Sequence, residues 1–161
     1  MNPKVIQHPA FTVIGIAGRT SNEKEMSGEP AVIGPFWRRF MSESLLAQIP
    51  NRADQSIVAV YTDYASDKDG EYAFVLGARV MSDATVPAGM VVKKIPAGRY
   101  ALFTSEKGPG VKVVPELWMN IYQTPRAAMG GERAYDADFE IYDQRAANPE
   151  NLVMDAYIGI K

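Results

Sequence analysis

Apolar positions along this chain follow two periods, and each switch between them marks an element. Phe11-Thr12-Val13-Ile14-Gly15-Ile16-Ala17 is rich in β-branched residues and predicts a first strand. Thr20 to Pro30 is polar, contains Gly28 and Pro30, and predicts a mobile connection. Gly34-Pro35 opens a helix, because proline at the first helical position has no amide hydrogen to waste and a backbone angle already suited to the helix. Phe36, Trp37, Phe40, Met41 and Leu45 recur at helical spacing as one apolar stripe, which Ile49-Pro50-Asn51 ends. Ser56 to Tyr64 alternates as a second strand, Asp67-Lys68-Asp69-Gly70 makes a turn, and Tyr72 to Met81 completes a hairpin. Val86-Pro87-Ala88-Gly89 closes the first half.

The second half resembles the first. Met90 to Ile95 and Arg99 to Thr104 are strand-like, separated by Pro96-Ala97-Gly98. Gly108-Pro109-Gly110 breaks the chain, and Val114-Pro115 opens a helix with Leu117, Trp118, Ile121 and Tyr122 on one side, ended by Pro125. Phe139 to Tyr142 and Asp155 to Ile160 are the last strands. Pro35-Phe36-Trp37 matches Pro115-Glu116-Leu117-Trp118, Val60-Tyr61 matches Ile141-Tyr142, and Leu76-Gly77 matches Ile158-Gly159, each pair about 80 residues apart. The expected architecture is α+β: tandem βαββ units over about 5–85 and 86–161 of a single domain, 1–161, forming an antiparallel sheet with two helices on one face. In this registration Glu140 falls opposite Ala59, so the two halves differ at that strand position.

Composition narrows the function classes. With 47% apolar and 22% charged residues the chain has the balance of an ordinary globular domain. A net charge of −2 gives no electrostatic footprint for nucleic acid. The absence of cysteine excludes disulfides and thiolate chemistry and fits the cytoplasm. No apolar run approaches the ~20 residues that cross a bilayer. His8 is the only histidine and lies in a terminal segment, which argues against a Ser-His-Asp triad or a histidine metal site. Gly108-Pro109-Gly110 lacks the Lys-Ser/Thr of a phosphate loop. No metal or cofactor is expected.

Alternation puts Asp138, Glu140 and Tyr142 on one strand face and Phe139 and Ile141 on the other. If the acidic face is wet, Glu140 means little. If it is covered, the carboxylate needs a cation, a hydrogen-bond network or a proton, because an unpaired buried charge costs several kcal/mol. Trp37 and Trp118 lie on apolar stripes, where they either pack in the core or present ring faces to a planar cation. Tyr61, Tyr100 and Tyr142 supply hydroxyls, and Phe36, Phe40, Met41 and Met119 could form an adaptable lining or simply core.

Four segments in order carry a resemblance: Ile6-Gln7-His8-Pro9-Ala10-Phe11-Thr12-Val13-Ile14-Gly15, Ile95-Pro96-Ala97-Gly98-Arg99-Tyr100-Ala101-Leu102-Phe103, the helix bearing Trp118, and Phe139-Glu140-Ile141-Tyr142. Together they resemble the GyrI-like family, the effector-binding domain of AraC-type and multidrug-responsive bacterial transcription regulators. The resemblance implies a cleft between two helices over the sheet, Glu140 as counter-charge at its floor, and Trp118 and Tyr100 in its walls. The implied ligand is an amphipathic, cationic aromatic molecule. The family also includes stand-alone members that look like hydrolases of strained electrophiles, in which Glu140 and Tyr142 would be the catalytic pair, and members that antagonise DNA gyrase by a protein contact. The regulators carry a helix-turn-helix module, for which this chain has no room. A stand-alone binder is therefore the expectation, with gyrase, a separate regulator or a second copy as candidate protein partners.

Overall fold

The computed structural model describes residues 3–27 and 31–161. The first half contains β1 (Lys4–His8), β2 (Phe11–Ser21), α1 (Asn22–Ser27), α2 (Ile33–Ser42), α3 (Leu45–Gln48), β3 (Ile57–Thr62) and β4 (Glu71–Val80). The second contains β5 (Val91–Ile95), β6 (Gly98–Thr104), α4 (Gly110–Gln123), α5 (Arg126–Met129), β7 (Arg133–Tyr142) and β8 (Asp155–Ile160). The strands form one antiparallel sheet in the order β1-β6-β8-β7-β3-β4-β2-β5. Two βαββ units, β2-α2-β3-β4 and β6-α4-β7-β8, meet where β3 pairs with β7.

The edge strands are exchanged between the units. β1 pairs with β6 and β5 pairs with β2, although only Pro9-Ala10 separates β1 from β2 and only Pro96-Ala97 separates β5 from β6. Two residues span at most ~7 Å. The sheet must therefore curl until its ends approach, and the curl buries the face that carries no helices. Val13, Val58, Val60, Val75, Phe139 and Ile141 form the core inside it. On the opposite face Ile14, Phe74 and Leu76 pack with Phe40 of α2 and Leu45 of α3, and Phe103 and Ile158 pack with Leu117 and Ile121 of α4. Trp118 and Tyr142 touch both of these helix-side clusters and so sit at their junction.

Several elements differ from the sequence expectation: β1 and the first six residues of β7 lie outside the strands it predicts. The connection after Thr20 is ordered secondary structure as far as Ser27: β2 continues through buried Ser21, whose Oγ accepts from the Lys24 amide, and α1 follows. Gly28 and Pro30 lie outside the described residues. The stripe expected as one helix through Leu45 is two helices, because Ser44 takes a left-handed conformation (φ 51°) that turns the chain between α2 and α3. α4 begins at Gly110, four residues before the expected start, with Pro109 as its N-cap and Pro115 inside it. The amide missing at Pro115 leaves the carbonyl of Val111 without a helical partner, and Val111 is 91% exposed, so water is close at hand.

Gly15 and Gly77 face each other across β2 and β4. A Cβ on Gly77 would lie 1.9 Å from the Ile14 carbonyl oxygen and 2.6 Å from the Gly15 Cα. Side-chain absence is what lets these backbones approach so closely. Gly77→Ala is expected to lower stability by more than about 2 kcal/mol, read as a fall in the urea midpoint; an unchanged midpoint would mean that the two strands separate freely.

Candidate functional site

Glu140 lies on β7, directly opposite Ala59 on β3, at the seam between the two units. Both residues face the helices, because Val58, Val60, Phe139 and Ile141 take the alternate positions in the core inside the curl. The carboxylate is 1% exposed. Three donors from three elements hold it: Trp118 Nε1 of α4 at 2.7 Å, Tyr142 Oη of β7 at 3.1 Å and Tyr61 Oη of β3 at 3.2 Å. No cation contacts it among the described residues. Burial pushes its pKa up, and the bonds from Trp118, Tyr142 and Tyr61 pull it back only in part. Burial, and then the charge of Glu140, hold the Tyr61 and Tyr142 hydroxyls well above the ordinary tyrosine range, so both remain protonated donors.

Beside this cluster opens a cavity of about 220 Å³. Tyr61, Tyr64, Tyr72, Trp118 and Tyr122 form its aromatic wall. The rings interlock: Tyr61 lies 5.2 Å from Trp118 and 5.6 Å from Tyr72 between centroids, and Trp118 lies 5.9 Å from Tyr122. Glu140 sits behind Tyr61 and Trp118, which donate to it and line the cavity. Glu25 reaches another wall, where its carboxylate accepts from Thr20 Oγ1 and from the backbone amides of Val32 and Ile33 at the start of α2. These amides have no partner within the helix, so the bonds tie α1 to α2.

A second buried carboxylate lies two residues before Glu140. Asp138 is fully buried and accepts from the Gly159 amide (2.8 Å), Tyr64 Oη (2.5 Å) and Arg133 Nη2 (2.7 Å). Arg133 also stacks over Tyr135, 4.4 Å from guanidinium carbon to ring centroid, and lines the cavity. It reaches this place because β7 is irregular between Arg133 and Asp138, where Tyr135 adopts a φ of 55°.

Of the residues expected from sequence, Glu140, Trp118, Tyr61 and Tyr142 come together. Trp37 joins them from α2, its ring 4.8 Å from that of Tyr142. Phe36 packs on Phe74, centroids 6.1 Å apart, without lining the cavity. Tyr100 is a correction: it faces the core inside the curl, against His8 and Phe139, with its hydroxyl on the Pro96 carbonyl. Strand alternation puts Ala101 and Phe103 on the helix side of β6 and leaves Tyr100 on the other. Phe40 is fully buried core, and Met41 and Met119 point to solvent at 62% and 58% exposure, so none of the three lines the cavity.

Sequence reading missed Asn22, Tyr64, Tyr72, Arg133 and Asp138 as site residues, and took Tyr122 only as part of an apolar stripe. Tyr72 was accessible, since the register that pairs Tyr61 with Phe74 puts Tyr72 on the helix face. Arg133 lies six residues before the expected strand, in the irregular part of β7, and had no periodic signal. Among the described residues no group of His, Cys, Asp or Glu could hold a metal ion, and no helix is long and apolar enough to cross a membrane.

Comparison with known proteins fits this geometry. YobU of Bacillus subtilis, named as a candidate transcriptional regulator, is 36% identical over 150 residues, 91% of this chain and 90% of that protein. The integron cassette protein VCH_CASS2 from the mobile metagenome of Vibrio cholerae superposes with a TM-score of 0.75 at 27% identity, covering 99% of this chain and 96% of that one. The structure of SAV2435 bound to tetraphenylphosphonium shares the fold, with a TM-score of 0.79 at 16% identity over 100% of this chain and 94% of that one. Residues 4–160 match the family described as Cass2, integron-associated effector binding protein, and the chain therefore belongs to this GyrI-like effector-binding family.

Proposed function

We propose that the protein captures amphipathic, cationic aromatic molecules in the cleft between α2 and α4, with Glu140 as the charge beneath them. The observation that carries this reading is a fully buried carboxylate with three neutral donors and, among the described residues, no cation, set behind an aromatic wall. A lipophilic cation resting on Tyr61 and Trp118 would supply the missing counter-charge. At a separation of ~6 Å and an effective dielectric of ~20 the attraction is about 3 kcal/mol, and each ring face adds ~0.5–2 kcal/mol. Hydrogen bonding to Glu140 draws electron density into the indole and phenol rings, which strengthens both contributions. A fold neighbour that binds tetraphenylphosphonium supports the reading. The regulator-named relative supports a sensing role, in which occupancy of the cleft is passed to a separate protein. On this reading the two βαββ units are pseudo-repeats of one domain that diverged at the Ala59/Glu140 pair.

The test is a thermal-shift comparison of the parent and Glu140→Gln with tetraphenylphosphonium and with tetraphenylborate, which has the same shape and the opposite charge. At 100 times its dissociation constant the cation should add ~2.7 kcal/mol, roughly 5–10 °C for a domain of this size. Glu140→Gln is expected to lose most of that shift, and the borate to give none. Equal shifts for the two ions, or an undiminished shift in the variant, would sink the counter-charge reading.

The raised pKa of Glu140 fixes the sign of a pH effect. As pH rises above the ordinary glutamate value of 4.5, the unfolded chain gives up this proton before the folded one. The unliganded protein should therefore lose stability across that window, while affinity for the cation rises as Glu140 ionises. Glu140→Gln should remove both dependences. Trp118→Phe deletes the shortest bond to the carboxylate, so the rise in cation affinity should move to higher pH, which a binding titration at several pH values would detect.

A further inference from the structure

The end of the cavity at Arg133 differs in chemistry from the end at Trp118. Arg133 has five N–H donors, and among the described residues one is used, in the bond to Asp138. Its Nε is buried and has no partner. Tyr122 reaches the same cavity, and its hydroxyl accepts from Asn22 Nδ2 at 3.0 Å, which leaves its own proton free to donate. Asn22 is fixed in turn, donating to the Lys68 carbonyl at 2.9 Å and accepting from Tyr72 at 3.2 Å. The Asp138 carboxylate beside Arg133 already takes three bonds. This end of the cavity is thus rich in donors, held rigidly and short of acceptors, and a guest that is apolar throughout would leave those donors dry and unpaired.

Resting on the reading of the cleft as a cation site, we infer that the natural ligand carries a neutral carbonyl-type oxygen, as in an ester, amide or ketone. It lies against Arg133 and the Tyr122 hydroxyl while the cationic aromatic part rests on Tyr61 and Trp118. The oxygen is neutral because Asp138 already balances the charge of Arg133 at 2.7 Å. Arg133 therefore acts as a hydrogen-bond donor and not as a counter-ion, and a carboxylate in its place would be repelled by both Asp138 and Glu140. The ligand class is narrowed from lipophilic cations to those with an uncharged acceptor at the far end of the molecule. Arg133 becomes the residue that sets specificity.

A matched series tests this: pentyltriphenylphosphonium, (4-carboxybutyl)triphenylphosphonium and the methyl ester of the latter, with tetraphenylphosphonium as reference, titrated by calorimetry. The parent is expected to bind the ester about tenfold tighter than the pentyl compound, the size of effect that one hydrogen bond to a charged group gives. The carboxylate should be the weakest of the three. Arg133→Lys keeps the ion pair with Asp138 but loses the planar fork, and Arg133→Met with Asp138→Asn removes both charges together. In each variant the ratio of ester to pentyl affinity should fall to less than twofold, whatever that variant's own affinity for tetraphenylphosphonium. A parent that binds tetraphenylphosphonium but does not prefer the ester overturns this inference alone, and so does a preference that survives in both variants. Tightest binding of the carboxylate would show Arg133 to be a counter-ion and overturn it as well. Failure of all four cations to bind the parent overturns the cation site and this inference with it.

Discussion

A buried carboxylate that must be satisfied by neutral donors organises the centre of this molecule. Glu140 is held by one group from each of β3, α4 and β7, so the bonds that solvate it also fix α4 on the sheet and fasten one βαββ unit to the other. Each donor has a further constraint. Trp118 must direct its indole N–H downward, which leaves a ring face for the cavity. Tyr142 must accept the edge of Trp37, which brings α2 to the same point. The tyrosines cannot take over the charge, since burial and Glu140 itself hold their protons in place. What results is a buried carboxyl group covered by rings that face the cavity.

The second constraint is the sheet. A flat eight-stranded sheet could not join its first and seventh strands with two residues, so the curl follows from the short Pro9-Ala10 and Pro96-Ala97 connections. Curling gives the face without helices a core of its own, with Phe139 stacked on Tyr157 (centroids 4.6 Å apart) and edge-on to Phe11. Phe139 and Ile141 anchor β7 from below, and this support is what lets Glu140 stand on the opposite face without the strand moving. The outer helices are held less deeply: α2 buries Phe40 and α4 buries Val113, Leu117 and Ile121, with the cleft left between them.

Most of the architecture could be read from the chain because it depends on local signals. Alternation marked β3 and β4, proline placed the start of α2, and the match of Val60-Tyr61 with Ile141-Tyr142 anticipated that Ala59 and Glu140 belong to equivalent strands. That they are also hydrogen-bonded neighbours follows only from the antiparallel seam. Tyr100 was misplaced because strand parity says which residues share a face but not which face the helices cover, and the curl gave β6 two buried faces. Met41 and Met119 share helices with Trp37 and Trp118 but point to solvent, and composition does not say which side of a helix a methionine takes. Arg133 was out of reach for a different reason: an irregular strand with a left-handed tyrosine has no period to detect. The central carboxylate was legible, and the donor-rich end of its cavity was not.

The exchange of edge strands has a consequence for how the chain assembles. β1 precedes β2 in the chain, yet its partner β6 follows more than 90 residues later, with Lys4 pairing with Leu102. During synthesis from the N-terminus, β1 waits unpaired while β2, β3 and β4 can already associate. β5 then closes onto β2 just before β6 emerges to receive β1. Neither half completes its edge from its own contiguous segment, so a cut between β4 and β5 would leave two fragments that each lack a border strand. Closing such distant pairs is entropically costly and slow. The cavity in front of Glu140 takes its lining from both units, Tyr61 and Tyr72 from one and Trp118 and Arg133 from the other, so its completion is coupled to completion of the fold.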